Sequence, residues 1–470
     1  MLGVAVLALF ALVNAQSEIG MSGNESSRLA TVQAVAEQHT FAIERTNFRT
    51  VDKLFFDGHL YSDKPPFLAW ATGMALRPLL AVTGWNFEKN YHLLVYIVNL
   101  LTGGGVNILL FLWLFDLFRR VRRGSVEAKF LLALGSVMGS WLLSYSVVIN
   151  NHTPAALCVL GAYIALLRFA RRPTYRAAAL AALACGVLGA LEIPGGVIFG
   201  LALIPALTLS SPADKRMEYV LTAACVVGLS ALFVFCLNYF AYRRPLPLYI
   251  VSGGSFSPGV GQKSPVGYAV ECLFTYRGLF SYQPFLLLAL PGIWARRRRT
   301  GAAEWSILAA TAAFTLFYIV LTNEYGGAAY GFRYLVPVIP VWSFCAGRWV
   351  LESSPRRRSR RGALAALLIL WGVVTSLAGA YSPFCFAFEG YRTPAGHFSR
   401  SVRSTFGGNV LCWSYEHFPD ESWTRALRHY YGERAAWEHL HWSFFSMKNI
   451  DQLARLRRER ESAVEKAAGK

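Results

Sequence analysis

Apolar residues in this chain fall in long blocks rather than in the short periods of a soluble core. Apolar runs at 93–118, 129–149, 153–170, 177–192, 195–210, 217–240, 283–295, 304–322, 334–351 and 362–382 are separated by shorter polar stretches. A helix needs roughly 20 apolar residues to cross about 30 Å of hydrocarbon, so each run predicts a transmembrane helix. Residues 1–15 are also apolar, with Val13-Asn14-Ala15 before Gln16 loosely resembling a signal-peptidase site. We read them as a first transmembrane helix with a shortened start, which makes about eleven spans. The stretch 67–85, interrupted by Arg77 and Pro78, predicts a helix lying at the membrane interface instead of a crossing. The expected fold is an all-α polytopic membrane protein with a long first outer loop, about 16–92, that carries interfacial helices.

Composition agrees with this pattern. Of 470 residues, 54% are hydrophobic and only 16% charged, and mean hydropathy is +0.37. Soluble domains carry about 25% charged residues. A net charge of +19 on a soluble surface would suggest nucleic acid. Here the basic residues cluster between apolar runs, the pattern of cytoplasmic membrane loops, which argues against nucleic-acid binding. Arg119-Arg120-Val121-Arg122-Arg123, Arg171-Arg172, Lys215-Arg216, Arg296 to Arg299 and Arg356 to Arg361 fall on one side by alternation. That side is expected to be cytoplasmic, and these arginines read as topology signals.

The other side receives 25–66, Asn150-Asn151-His152, Glu192-Ile193-Pro194, the loop 242–282, the stretch 323–333 and a tail from 383 onward. The division is thus 1–382 as the membrane domain and 383–470 as a small extracytoplasmic region, rich in Trp, Tyr and His. Cys158, Cys185, Cys225, Cys236 and Cys345 read as small core residues, Cys272 as a loop residue, and a Cys385–Cys412 disulfide is open to an oxidising compartment.

The segment 25–66 concentrates acids, bases and aromatics. With Asn24 as a cap, helical periodicity places Glu25, Arg28, Leu29, Val32, Val35 and Ala36 on one face. A carboxylate and a guanidinium then share the apolar side, which costs desolvation unless they are paired or used. A structural ion pair is the plain alternative to a functional one. His152 equally reads as a cap of the next helix, Glu192 as a cap before Pro194, Lys64 as a snorkelling side chain and Arg333 as a helix-end anchor.

An outer-face site on a membrane bundle suits a lipid-borne substrate. Sugar transfer from a polyprenyl phosphate needs a base for the acceptor hydroxyl and cations for the leaving phosphate. The outer side offers Glu25, Asp57 and Asp63 as acids, and Lys64, Arg28, Arg277 and Arg333 as cations. Tyr61, His59, His152, Glu192, Tyr276, Glu324, Tyr325 and Trp70 are candidates for holding a sugar or a lipid head. No cofactor motif is present, although a carboxylate-rich loop leaves a divalent metal ion open.

Three motifs carry a family resemblance. Glu25-Ser26-Ser27-Arg28-Leu29-Ala30 resembles an acid-x-x-Arg-Tyr-Ala motif whose acid is usually Asp. Asp63-Lys64-Pro65-Pro66-Phe67-Leu68 resembles Glu-Lys-Pro-Pro-Leu, and Gly331-Phe332-Arg333-Tyr334-Leu335-Val336-Pro337 resembles Gly-x-Arg-Tyr-Leu-x-Pro. Across 1–382 the chain thus resembles the C-type integral-membrane glycosyltransferases, nearest in pattern to the protein mannosyltransferase and lipid A aminoarabinose transferase branches. The resemblance implies a polyprenyl-phosphate sugar donor, a lipid, protein or glycan acceptor, and a site facing away from the cytoplasm in a plasma (inner) membrane. It also implies that Glu25 stands at the catalytic acid's place and that Lys64 and Arg333 approach the lipid phosphate. Asp57 or Asp63 remains an alternative base. A secondary transporter or lipid flippase, or an inactive glycan-binding relative, is the rival reading; the crowding of polar residues on one surface weighs against transport.

Overall fold

The computed structural model describes residues 1–17, 23–50, 52–251, 265–275, 277–322, 326, 329–381, 383, 406 and 409–410. The chain opens with α1 (Leu2–Asn14) and α2 (Gly23–Gln38), then an antiparallel hairpin of β1 (Lys53–Phe56) and β2 (His59–Ser62), then α3 (Pro66–Thr83). Next, α4 (Tyr91–Asn99) runs through a π-helical stretch, Leu100–Gly105, into α5 (Val106–Arg119). The middle of the chain holds α6 (Val126–Met138), α7 (Trp141–Ser144), α8 (His152–Arg171), α9 (Tyr175–Leu191), α10 (Ile193–Ser210) and α11 (Arg216–Tyr242). The remainder holds α12 (Leu248–Val251), α13 (Pro265–Phe274), α14 (Leu279–Tyr282), α15 (Ala289–Arg296), α16 (Ala302–Leu321), α17 (Ile339–Leu351) and α18 (Pro355–Tyr381).

Among the described residues, 7 helical units are long and apolar enough to cross a membrane, and two bent pairs raise this to 9. The shorter apolar helices α1 and α9 coincide with two more of the expected segments. Helix lengths and composition fit an integral membrane protein.

Two expected spans are not straight. Residues 129–149 bend by 53° between α6 and α7, where Ser140 Oγ accepts the Leu142 amide and starts a new helix. The run 283–295 is one arm of a bent pair, Pro265–Tyr282 and Pro284–Arg296, that turns by 96°. Pro284 lacks an amide proton, so the chain re-enters through a 3-10 turn, Pro284–Leu288, before the eight residues of α15. The expected loop 242–282 is partly helical, and Cys272 is a buried residue of α13 rather than a loop residue. Cys225 and Cys236 also depart from expectation. Both are exposed on α11, only 11% of whose central window is buried, so they point outward rather than into a core.

The first outer loop is the main addition to an all-α picture, because it contains the hairpin. Helix α2 begins at Gly23, so Asn24 lies inside it and is not its cap. Every residue from Glu25 to Ala36 is buried, and the expected division into an inner and an outer face disappears. Leu29, Ala30 and Val32 pack with Phe48, Leu76, Phe87 and Leu94, while Val35 joins Phe41 to Leu237 and Tyr242 of α11. Full burial of each such aliphatic side chain contributes about 1.5–3 kcal/mol. Helix α3 runs unbroken through Pro78 and is not among the span-length helices, in line with its interfacial expectation. Of the region 383–470, Phe406 touches the bundle through its amide, which donates to Tyr282 Oη at 3.0 Å. Asn409 Nδ2 donates to the Ala378 carbonyl at 2.7 Å. The sequence pairing Cys385–Cys412 lies outside the described residues.

Candidate functional site

The start of α8 sets the geometry of one end of the bundle. Asn150 Oδ1 accepts from the amide and hydroxyl of Thr153 at 2.9 and 3.1 Å, so Asn150 caps this helix. The capping role expected of His152 is therefore taken by its neighbour two residues earlier. Asn151 is freed to bridge, accepting from Arg28 Nη2 at 2.7 Å and donating to the Leu191 carbonyl at 3.3 Å. Arg28 Nη1 also donates to the Asn24 carbonyl, one helical turn back, at 3.1 Å. The guanidinium of α2 is thus held against the ends of α8 and α9.

Arg28 is 4% exposed. Burial, helped by the like charge of Arg333, lowers its pKa to about 10, against the pull of Asp63, Asp52 and Glu192. It stays a cation at neutral pH. Those five side chains come from α2, the hairpin's two ends, the α9–α10 turn and the segment before α17. Their mutual influence marks one electrostatic cluster.

The hairpin supplies its acidic flank. Ser27 Oγ lies 2.5 Å from Ser62 Oγ and donates to the Asp52 carbonyl at 2.6 Å, pinning the base of the strands to α2. Lys64 Nζ then reaches Asp52 Oδ2 at 3.0 Å and Asp63 Oδ2 at 2.9 Å. Lys64, expected to snorkel or to meet a phosphate, is here clamped between two carboxylates. Asp63 Oδ1 is buried without a hydrogen-bond partner among the described residues.

Opposite them, Glu192 stands at the N-cap of α10 but uses its carboxylate elsewhere, accepting from Tyr318 Oη at 2.6 Å. His152 Nδ1 lies 3.6 Å from the same Glu192 oxygen, and its ring packs edge-on against Tyr334. Tyr334 in turn stacks on Tyr318 at 4.4 Å between centroids. Arg333 opens the 3-10 turn Arg333–Val338, its guanidinium 5.6 Å from the Tyr334 ring. Glu25 is fully buried in the first turn of α2, three residues before Arg28 and hence on the same side of the helix.

The other expected site residues separate from this cluster. Asp57 occupies the hairpin turn at φ 49°, exposed and at the far end of the strands from Asp52 and Asp63. His59, also exposed, is tied to Glu44 at 2.6 Å. Neither reaches the arginines, because a four-residue strand carries them away. Tyr61 packs against Tyr242, Trp70 against Phe67 and Phe233, and Arg277 is buried between α13 and α14. Tyr276, Glu324 and Tyr325 lie outside the described residues. Asn151, Asp52 and Tyr318 were not singled out from the sequence. Only the polar run Asn150-Asn151-His152 gave a signal for any of them. Among the described residues no three His, Cys, Asp or Glu side chains group as metal ligands. Asp52 and Asp63 share the Lys64 ammonium.

Beside the cluster, an apolar cavity of about 570 Å³ runs between α9, α10 and α11. Ile193, next to Glu192, lies in its wall, and Gly200 has open space at its Cβ position, whereas Gly189 and Gly196 let α9 and α10 approach closely.

No protein-family model matches the chain, and no curated protein sequence matches it. Solved structures do. ArnT from Cupriavidus metallidurans, a lipid A aminoarabinose transferase, superimposes in its apo state with a TM-score of 0.54 at 15% identity, over 87% of this chain and 68% of ArnT. The same protein bound to undecaprenyl phosphate gives 0.53 at 16% identity, over 81% and 70%. At such identity the likeness speaks for architecture alone. The chain shares the fold of ArnT.

Proposed function

We propose that this protein transfers a sugar from a polyprenyl-phosphate donor to a hydroxyl acceptor on the non-cytoplasmic face of the membrane. The observation that carries the reading is geometric: Asn151 holds the Arg28 guanidinium, the adjacent His152 packs on Tyr334 beside Glu192, and the Arg333 guanidinium stands 5.6 Å from that same Tyr334 ring. Two such cations at one end of a membrane bundle suit a phosphate, which can accept from both and relieve their repulsion. The prenyl chain would follow the apolar cavity between α9, α10 and α11 away from Glu192. The ArnT structure with undecaprenyl phosphate supports a lipid of this class.

In the reaction, the acceptor oxygen attacks the anomeric carbon as the bond from that carbon to the phosphate oxygen breaks. The acceptor proton passes to a carboxylate, and polyprenyl phosphate leaves with its charge on Arg28 and Arg333. One displacement inverts the anomeric centre. Glu25 is our assignment for the base. Asp63, with its unpartnered buried oxygen, is the second candidate. Lys64 holds Asp52 and Asp63 in place, and Tyr318 and His152 hold the Glu192 carboxylate.

The test is turnover of a panel of radiolabelled polyprenyl-phosphate sugars by protein in lipid, with a membrane extract as acceptor. Glu25→Gln should lower turnover about 10²–10⁴-fold, the usual contribution of a general base. If Asp63→Asn produces that loss and Glu25→Gln does not, the base moves to Asp63. Absence of turnover with every donor would sink the reading.

A further inference from the structure

At the end of the bundle opposite the candidate site, four of the five basic clusters meet around one cavity of about 770 Å³. The α5–α6 turn, the end of α8, the end of α15 and the start of α18 all contribute arginines to it. Nine arginines and two glutamates line it. Its inner wall is a built chain of partners. Tyr163 Oη donates to Glu304 at 3.0 Å, Arg348 reaches Glu304 at 2.9 Å and Glu352 at 3.0 Å, and Arg296 reaches Glu352 at 2.6 Å. Arg296 Nε is buried with no hydrogen-bond partner among the described residues.

These contacts account for little of the positive charge. Glu304 and Glu352 match Arg348 and Arg296, and Asp116 matches Arg120. Arg122, Arg123, Arg168, Arg171, Arg299 and Arg361 have no carboxylate partner among the described residues. A topology signal requires only that arginines lie near helix ends. It does not require helices distant in sequence to bring six guanidiniums without carboxylate partners to the wall and rim of one cavity. The cavity also has an apolar side, with Leu117, Leu167 and Trp349 in its wall.

We propose that this cavity is a binding site for a ligand bearing two or more phosphate groups. Basic pockets between membrane helices at the cytoplasmic end suit anionic phospholipid heads, and guanidiniums pair bidentately with phosphate oxygens. The ligand clamps the ends of α5, α8, α15 and α18, adding to the ion pairs through Glu352 and to the Arg123 bond to the Glu352 carbonyl. Its source is either a membrane lipid with two phosphates or a soluble polyphosphate. This proposal is independent of the sugar-transfer reading.

The experiment compares full-length protein in phosphatidylcholine nanodiscs with and without cardiolipin, and in plain nanodiscs with and without pyrophosphate. Ligand retention is read by native mass spectrometry and by the shift of the unfolding midpoint. A triple variant, Arg122→Gln, Arg168→Gln and Arg299→Gln, removes cavity charge. A second triple variant, Arg298→Gln, Arg357→Gln and Arg360→Gln, removes equal charge from exposed positions outside the cavity. The cavity variant should bind on the order of a hundredfold more weakly, at roughly fivefold per arginine. The outer variant should bind as the parent does. The single variants Arg168→Gln and Arg299→Gln, each expected to lose about fivefold, serve if the triple one does not fold. Cardiolipin retention identifies a lipid source and pyrophosphate retention a soluble one. Equal losses in both triple variants would reduce the effect to diffuse surface charge and overturn the proposal, as would retention of neither probe.

Discussion

Arg28 illustrates how a single residue's role depends on partners that lie far from it in sequence. Burying a guanidinium costs several kcal/mol, and charge-assisted hydrogen bonds of about 1.5–3 kcal/mol each offset part of that. Its bonds to Asn151 and to the Asn24 carbonyl supply this, and nearby carboxylates supply the rest. Arg28 is buried as expected, but so is every residue from Glu25 to Ala36, so periodicity did not single it out; that Asn151 receives it was not legible either, since 123 positions separate them. Glu44 and His59 form a nearer pair, 15 positions apart, that the sequence reading also left out. Burial raises the Glu44 pKa, but hydrogen bonds from His59 and from the Glu44 and Leu60 amides outweigh it, leaving the group below its ordinary 4.5. A carboxylate depressed on folding adds stability above its unfolded pKa and loses it as pH falls through the folded one. The difference in unfolding midpoint between the parent and Glu44→Gln should therefore hold from neutral pH down to about 5 and close below 4.5. A difference that persisted well below pH 4 would show that the carboxylate's charge is not what stabilises the pair.

Among the elements, the segment that delivers Arg333 is the most constrained. Gly331 has φ 68°, and a Cβ there would lie 2.3 Å from the Trp141 ring, which is fully buried. Gly331→Ala combines a left-handed backbone with an overpacked core. It should cost about 3 kcal/mol or more, read as a lowered unfolding midpoint together with loss of donor binding. Gly58, at φ 78° in the hairpin turn, has nothing within 4 Å of its Cβ position. Gly58→Ala should cost only about 1 kcal/mol. If both variants behaved alike, packing against Trp141 would not be what holds the Arg333 segment. The Gly-x-Arg-Tyr run was visible in the sequence, but Trp141, its packing partner, belongs to the break after α6. The helix breaks themselves were under-read because hydropathy counts apolar residues and does not register a bend.

For the whole molecule, the charge pattern and the architecture point the same way. Four basic clusters converge at one end, and Arg28, Asn151, Glu192 and Arg333 gather away from it. With all eight cysteines replaced by Ala, Gly58→Cys should react with a membrane-impermeant maleimide only from the non-cytoplasmic side, and Arg298→Cys only from the cytoplasmic side. Labelling of both from one side would refute the orientation. The sequence by itself determined the membrane class, the segments that become apolar helices and which ends carry arginine. Each of these follows from local composition, which alone decides transfer into hydrocarbon. The tertiary structure decided which charges meet. It clamped Lys64 between Asp52 and Asp63, carried Asp57 and His59 away on a hairpin, and turned arginines that read as topology signals around a shared cavity. Such encounters depend on how helices distant in sequence pack against one another, and no local pattern encodes that.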